Sequence, residues 1–114
     1  MPKKHEILES VCQGLRAQGL IEGYAYDHFR RSEAVPPPFA VYRRVAPQTF
    51  GADDKVYHRG DAADLELYAS TPDEMEALMA AAEALIDAEG IYYKIAADTA
   101  YIESEDFWES LYEL

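Results

Sequence analysis

Cysteine, basic residues and long hydrophobic runs are all scarce in this chain of 114 residues. The one cysteine, Cys12, excludes an internal disulfide, and nothing in its use indicates an oxidising compartment. No apolar run approaches the roughly 18–20 residues that a membrane-spanning helix needs. The N-terminal residues MPKKHEILES lack the apolar segment of a signal peptide. We therefore expect one soluble intracellular domain over residues 1–114, with no membrane partner.

Basic residues are outnumbered, because ten lysines and arginines face twenty-two acids and give a net charge of −12. A surface of this charge repels phosphate backbones, which disfavours specific binding of nucleic acid. The apolar content of 49% and the aromatic content of 12% are typical of a globular protein, not of a disordered one.

Motifs of known chemistry are also missing, since the chain has no GxGxxG, P-loop, CxxC or GxSxG pattern. Glu103 and Glu105 could form an acid–base pair, but they lack an accompanying nucleophile or metal. The three histidines do not have the spacing of metal ligands: His5, His28 and His58. The acid-rich stretch does not match the ligand spacing of a calcium loop; its acids are Asp53, Asp54, Asp61, Asp64 and Glu66. We therefore expect a protein that is not an enzyme and has no metal or cofactor.

Two amphipathic helices are present. The first has an apolar stripe at helical spacing and a natural stop at Gly19. Its stripe is formed by Ile7, Leu8, Val11, Cys12 and Leu15. The second begins with Thr71 as N-cap, Pro72 at the first position and Glu74 closing a capping box, and it ends at Gly90. Its predicted buried residues are Met75, Leu78, Met79, Ala82, Leu85 and Ile86.

Five β-strands are predicted from aromatic, β-branched and alternating residues, at about 23–30, 39–45, 62–70, 91–98 and 106–114. The prolines of VPPPF separate the first two strands. Residues 47–60 are predicted to be a long turn or a protruding hairpin. The order is αβββαββ, which predicts an α+β two-layer sandwich with both helices on one face of a mainly antiparallel sheet.

The C-terminal stretch YIESEDFWESLYEL is acidic and aromatic, and periodicity alone does not decide between a helix and a strand. Its aromatic residues favour a strand. That strand would place Phe107 and Leu111 on one side and Trp108 and Tyr112 on the other. We expect Phe107 and Leu111 to face the core, because Trp108 and Tyr112 each carry a polar group that suits a subunit contact.

Several short motifs resemble a family of small proteins from siphophages and prophages of Gram-positive bacteria. They are ADDKVY at 52–57, ELY at 66–68, YIESE at 101–105 and LYE at 111–113. The likeness covers about residues 35–114, and the first helix matches only in type. The chain departs from the family pattern at Ala69, where Thr is usual, and at Trp108 and Ser110, where the neighbours are usually more aliphatic.

The resemblance implies a structural protein of virion assembly, a tail-completion or tail-terminator protein at the head–tail junction. Such proteins form rings, commonly hexameric, that contact the tail tube and the head–tail connector. The expected locations are the host cytoplasm during assembly and then the virion. In a ring, the negative charge could line a lumen through which DNA slides. The alternative is a small acidic adaptor that binds a protein partner through an exposed edge strand.

The residues expected at a subunit interface come from the long loop, from strand 39–45 and from the C-terminal strand. They are Phe50, Asp53, Asp54, Lys55, Tyr57, Arg43, Arg44, Trp108 and Tyr112. Arg30 and Arg31 add to the same basic concentration, which is expected to meet acids on a neighbouring subunit or on its own chain.

Overall fold

The computed structural model describes residues 2–45 and 61–114, which form an α+β fold with two helices and a five-stranded sheet. The helices are α1 (Lys4–Ala17) and α2 (Pro72–Ala88). A 3₁₀ turn, Arg31–Glu33, lies between the first two strands. The strands in chain order are β1 (Gly23–Tyr26), β2 (Phe39–Val45), β3 (Ala62–Ala69), β4 (Lys94–Ile102) and β5 (Phe107–Glu113). Within these ranges no helix is long and apolar enough to cross a membrane.

The strands of the described sheet lie in the order β1-β2-β3-β5-β4. β1 runs parallel to β2, and each of the other neighbouring pairs is antiparallel. β1 and β4 are therefore the edge strands, while β5 lies between β3 and β4. The expected α+β class and mainly antiparallel sheet are confirmed.

One face of the sheet, called here the helix face, belongs to the same hydrophobic cluster as both helices. On β3, four buried residues alternate with half-buried ones, and this period of two places them on one side. The cluster includes Ala63, Leu65, Leu67 and Ala69 of β3, Ile7, Leu8, Val11, Cys12 and Leu15 of α1, and Met75, Leu78, Met79, Ala82 and Ile86 of α2. The predicted helix stripes are thus confirmed, apart from Leu85.

Leu85 is half-buried and lies where the two helices approach each other. A Cβ atom on Gly14 of α1 would be only 3.1 Å from Leu85 Cδ1, so the close approach uses a glycine. At the start of α2, the Thr71 hydroxyl accepts a hydrogen bond from the Glu74 N–H at 3.1 Å, as predicted. The predicted capping box is not formed, because the Glu74 carboxylate accepts from the N–H of Ser70, one residue before the cap, instead of from that of Thr71.

The opposite face, called here the open face, carries the alternate residues of β2, β3 and β5. In the strand register, Phe39 lies opposite Tyr68, and Tyr68 lies opposite Glu109. The residues of the open face used below are Phe39, Val41, Arg43, Asp64, Glu66, Tyr68, Phe107, Glu109 and Leu111.

The expectation that Phe107 and Leu111 face the core is wrong. Tyr112 is fully buried in the core cluster, and Trp108 packs against that cluster. The Tyr112 hydroxyl donates to Glu83 Oε2 of α2 at 2.6 Å. A polar group does not therefore keep this side chain out of the core, because the core provides the partner.

Two strands differ in extent from the prediction. β1 ends at Tyr26 instead of residue 30, because Asp27 has a φ of 68° and leaves the extended conformation. β4 begins at Lys94 and continues to Ile102, whereas residues 91–98 were predicted. The predicted turn or hairpin at 47–60 lies outside the described residues.

Candidate functional site

The open face carries four aromatic rings that form one cluster, called here the aromatic patch: Phe29, Phe39, Tyr68 and Phe107. Phe39 is at its centre, stacked on Tyr68 with ring centroids 4.6 Å apart. Phe29 and Phe107 meet Phe39 edge-on at 5.3 and 5.9 Å. Phe29 comes from the connection after β1, so this connection covers part of the open face.

A chain of polar side chains crosses the open face beside the aromatic patch. Arg43 Nη2 donates to Glu66 Oε1, and the Tyr68 hydroxyl lies against Glu66 Oε2. The same hydroxyl lies 2.6 Å from Glu109 Oε2. The chain joins β2, β3 and β5 across three neighbouring strands. It fixes the side chains of the open face relative to one another.

Tyr68 is held as a neutral phenol in this chain. Burial raises the pKa of its hydroxyl, and the hydrogen bonds to Glu109 and Glu66 raise that pKa further. Since a phenol has one proton to donate, it cannot donate to both carboxylates at once. Such a group is suited to holding two strands together and not to acting as a nucleophile.

The two predicted interface arginines of β2 differ in their surroundings. Arg43 is half-buried and binds Glu66 of its own chain, with Asp27 Oδ1 4.0 Å from its Nε. Arg44 is exposed, and its backbone N–H donates to the Tyr26 hydroxyl at 3.3 Å. Arg30 and Arg31 are also exposed. Arg43 thus meets an acid of its own chain, while Arg44 lies at the surface.

The predicted interface role of Tyr112 is wrong, because its side chain is fully buried and bonded to Glu83. Trp108 is half-buried and lies against Tyr101 of the edge strand β4, with ring centroids 5.0 Å apart. The other predicted interface residues lie outside the described residues: Phe50, Asp53, Asp54, Lys55 and Tyr57.

Glu103 and Glu105 are exposed residues of the turn between β4 and β5. His28 is exposed and pairs with the neighbouring Asp27 at 2.9 Å, and His58 lies outside the described residues. Among residues 2–45 and 61–114, no group of three or more His, Cys, Asp or Glu side chains could hold a metal ion.

A groove runs between α2 and the edge strand β4. Four acids line it, Asp73, Glu76 and Glu83 from α2 and Asp98 from β4, together with Ile95 and Thr99. Thr99 has a φ of 53°, and the register of β4 against β5 is irregular on both sides of Ala97. The β4 edge is thus acidic and locally bulged.

A second groove runs along β1, between this edge strand and the connection that follows it. Its wall includes Arg16 of α1, Tyr26 of β1, and Arg30 and Val35 of the connection. Two acids, Glu22 and Glu33, and His28 complete the polar lining, which is therefore mixed in charge.

The edges also hold the large exposed hydrophobic residues of the described chain. Tyr26 is on β1, Ile95 and Tyr101 are on β4, and Tyr92 lies two residues before β4. Sequence reasoning did not single out these residues. The tyrosine-rich segments GYAY and IYYK are the sequence feature that could have indicated them. Strand order is needed to place both segments at the edges of the sheet.

Comparisons of the chain with protein-family models, with curated proteins and with solved structures found no match.

Proposed function

We propose that this chain is a structural protein of phage or prophage virion assembly, a tail-completion or tail-terminator component that joins further copies of itself in a ring. The proposal starts from the sequence resemblance described above. Its partners are the other copies, the tail tube and the head–tail connector. Its locations are the host cytoplasm during assembly and the virion afterwards.

The observation that carries the proposal is the position of the exposed hydrophobic residues. In the described chain they lie on or next to the two edge strands, at opposite ends of one sheet: Tyr26 at one end and Tyr92, Ile95 and Tyr101 at the other. A subunit of a ring needs two contact surfaces, one for each neighbour. Two separate edges with exposed aromatic residues fit this need.

The finer architecture belongs to the same proposal. We infer a two-layer sandwich of order αβββαββ, in which α1 and α2 together cover the helix face. In a ring of such subunits, the sheets could follow one another around the circumference. A wall formed by acidic subunits would repel the phosphates of DNA, so that DNA could pass without binding.

The rival function is a small adaptor that binds a protein partner through one edge strand. The exposed, acidic β4 edge favours it, because an extended peptide can add a strand to such an edge. This function needs one edge only and no contact between copies.

The test is the mass of the full chain in solution, measured by sedimentation velocity over a wide range of protein concentrations. A ring-forming protein gives a defined multimer as concentration rises, and negative-stain images of that multimer show a central opening. A matched variant, Tyr101→Ser, removes an exposed edge ring and weakens the multimer. Ala84→Ser, on the exposed side of α2, leaves it unchanged.

A second arm uses siphophage tails that lack their terminator, because some ring proteins assemble only on the tail end. Cosedimentation of the wild-type chain with these tails supports the virion role. A chain that stays monomeric at every concentration and does not bind the tails contradicts it and favours the adaptor.

A further inference from the structure

We propose that copies of this chain join head to tail, with the β1 edge of one copy placed antiparallel to the β4 edge of the next. The inference rests on the proposed self-assembly and names the surfaces that carry it. It commits each edge to a different partner, so that β1 pairs with β4 and neither edge pairs with itself.

The strand directions allow this junction. β1 is parallel to β2, and the three antiparallel steps from β2 through β3 and β5 leave β4 opposite in direction to β1. If a second copy continues the sheet with its helices on the same side, its β1 therefore runs antiparallel to the β4 that it meets. Antiparallel strands can share backbone hydrogen bonds along such an edge.

The exposed hydrophobic side chains of the two edges lie on the same face. Tyr26 lies opposite the core residue Tyr42 in the strand register. Ile95 lies opposite the core residue Tyr112, and Tyr101 opposite Trp108, which packs on the core. All three side chains thus belong to the helix face. A head-to-tail junction therefore places Tyr26 of one copy on the same side of the continued sheet as Ile95 and Tyr101 of the next.

Charge selects this arrangement over pairing of like edges. The groove at β4 has four carboxylates, so two β4 edges placed together would bring eight carboxylates near one another, four from each copy. Around β1 lie the exposed arginines Arg16, Arg30 and Arg44, with Glu22, Asp27 and Glu33 as the nearby acids. In a chain of net charge −12, this end offers the cations that suit the acidic groove.

The length of the contact is set by the shorter edge. β1 has four residues, while β4 has nine and is bulged around Ala97 and Thr99. Short and bulged edges limit uncontrolled strand addition. The junction is therefore a short ladder supported by side chains, which suits a subunit that assembles at a defined place.

The experiment is cross-linking, with a short bis-maleimide, of full-chain variants that each carry one added cysteine. Ala25→Cys places a thiol on β1 and Ala100→Cys places one on β4. Both positions are on the open face, because they lie opposite Val41 and Glu109. The native Cys12 is fully buried and does not react. Ala84→Cys, exposed on α2, is the control.

The expected result is a cross-linked heterodimer when the Ala25→Cys and Ala100→Cys variants are mixed, with one of them carrying a mass tag. The chain with both changes gives a ladder of dimer, trimer and larger species. Each single variant alone, and the control, gives no dimer. Dimers formed as readily by one variant alone would show pairing of like edges and overturn the proposal.

Exchanging the charges at Arg16 and Glu76 tests whether charge favours the junction between β1 and β4. Arg16→Glu in the Ala25→Cys chain, or Glu76→Lys in the Ala100→Cys chain, should each reduce the heterodimer, and the two together should restore it. Restoration shows that these residues face each other across the junction. If neither change affects the yield, the charge argument is wrong.

The outcome also separates this inference from the proposed function. If the wild type forms multimers but the mixed variants do not cross-link, the junction is wrong and the ring proposal stands. If the cross-link forms but sedimentation shows open chains without a closed species, the junction is correct and ring closure is wrong. If the chain neither multimerises nor cross-links, both are wrong.

Discussion

The helix face and the open face of β3 use the same eight-residue strand but differ in chemistry. On the helix face, Leu65 and Leu67 are fully buried among other apolar residues. On the open face, Glu66 and Tyr68 belong to a chain of hydrogen bonds beside the aromatic patch. The first face is held by apolar burial, and the second by contacts between polar and aromatic side chains that remain half-exposed. We therefore expect the two faces to respond differently to pH and to substitution.

The largest expected effect is loss of the folded state at alkaline pH. Burial, and then Glu9, raises the pKa of the Cys12 thiol from its usual 9.0 to about 12, and the pKa of Tyr42 from 10.0 to about 12. Burial and the hydrogen bond to Glu83 also raise the pKa of Tyr112. All three residues belong to the hydrophobic cluster that joins the helix face of the sheet to α1 and α2.

Because these pKa values are raised in the folded state, the native chain holds its protons more tightly than the unfolded chain. The contribution of these groups to the free energy of unfolding is fully present below about pH 9. It decreases as the pH rises towards about 12. Near-ultraviolet circular dichroism, recorded during a pH titration, should be lost in one cooperative step. Tyr112→Phe should retain its fold to higher pH. A circular dichroism signal that stays unchanged beyond about pH 12 would contradict this account.

The sequence predicted the helix face better than the open face, for a physical reason. An apolar stripe at helical spacing has one way to be buried, so Val11 and Leu78 could be placed from spacing alone. In β5 both sides carry large aromatic residues, and period two does not say which side the helices cover. The choice depended on Glu83 of α2, which bonds the Tyr112 hydroxyl over a separation of 29 residues.

The candidate site was less predictable than the core because it depends on strand order. The period of two in a strand places Glu66 and Tyr68 on the same face of β3. The contact of Tyr68 with Glu109 requires β5 to lie beside β3, and β5, which follows β4 in the chain, lies between β3 and β4 in the sheet. The position of Tyr26 at an edge was unpredictable for the same reason, since only the strand order makes β1 and β4 the outer strands.

The largest effect of a single substitution is expected in the hydrophobic cluster that joins the helix face of the sheet to α1 and α2. Leu78 of α2 is 1% exposed, so Leu78→Ala leaves a cavity in the shared core. We expect a loss of about 2–5 kcal/mol in the free energy of unfolding, measured by urea denaturation. Tyr92→Ala is the matched control, because Tyr92 is 91% exposed and its truncation should change little. An unchanged midpoint for Leu78→Ala would mean that α2 is not held by this stripe.

A smaller effect is expected on the open face. Phe107 is half-buried and meets Phe39 and Tyr68 edge-on at 5.9 and 5.4 Å. Phe107→Ala should lower the free energy of unfolding by about 1–2 kcal/mol, since roughly half of a buried side chain's transfer free energy is lost. Phe107→Leu keeps most of the apolar contact and should lose less. A loss as large as that of Leu78→Ala would show that the open face is a second core.

The smallest effect is expected at Asp64. Its substitution should increase the free energy of unfolding, whereas substitution in the core should decrease it. Asp64 lies on the open face between Arg43 of β2 and Glu113 of β5. Burial raises the pKa of its carboxyl above the usual 3.8, Glu113 and Glu66 raise it further, and Arg43 opposes the shift. The folded chain therefore holds this proton more tightly than the unfolded chain, and stability decreases as the pH rises from about 3.8 through the raised pKa.

Asp64→Asn removes this cost and should stabilise the fold at neutral pH by about 0.5 kcal/mol or less. The gain should vanish when the pH falls below about 3.8, where Asp64 is protonated in both states. Urea denaturation at neutral and acidic pH measures it, with Glu103→Gln in the exposed turn as the control. If Asp64→Asn is instead less stable at neutral pH, the attraction between Arg43 and Asp64 outweighs the cost of burying the carboxylate. Ion pairing would then stabilise the open face in addition to hydrogen bonding and aromatic contact.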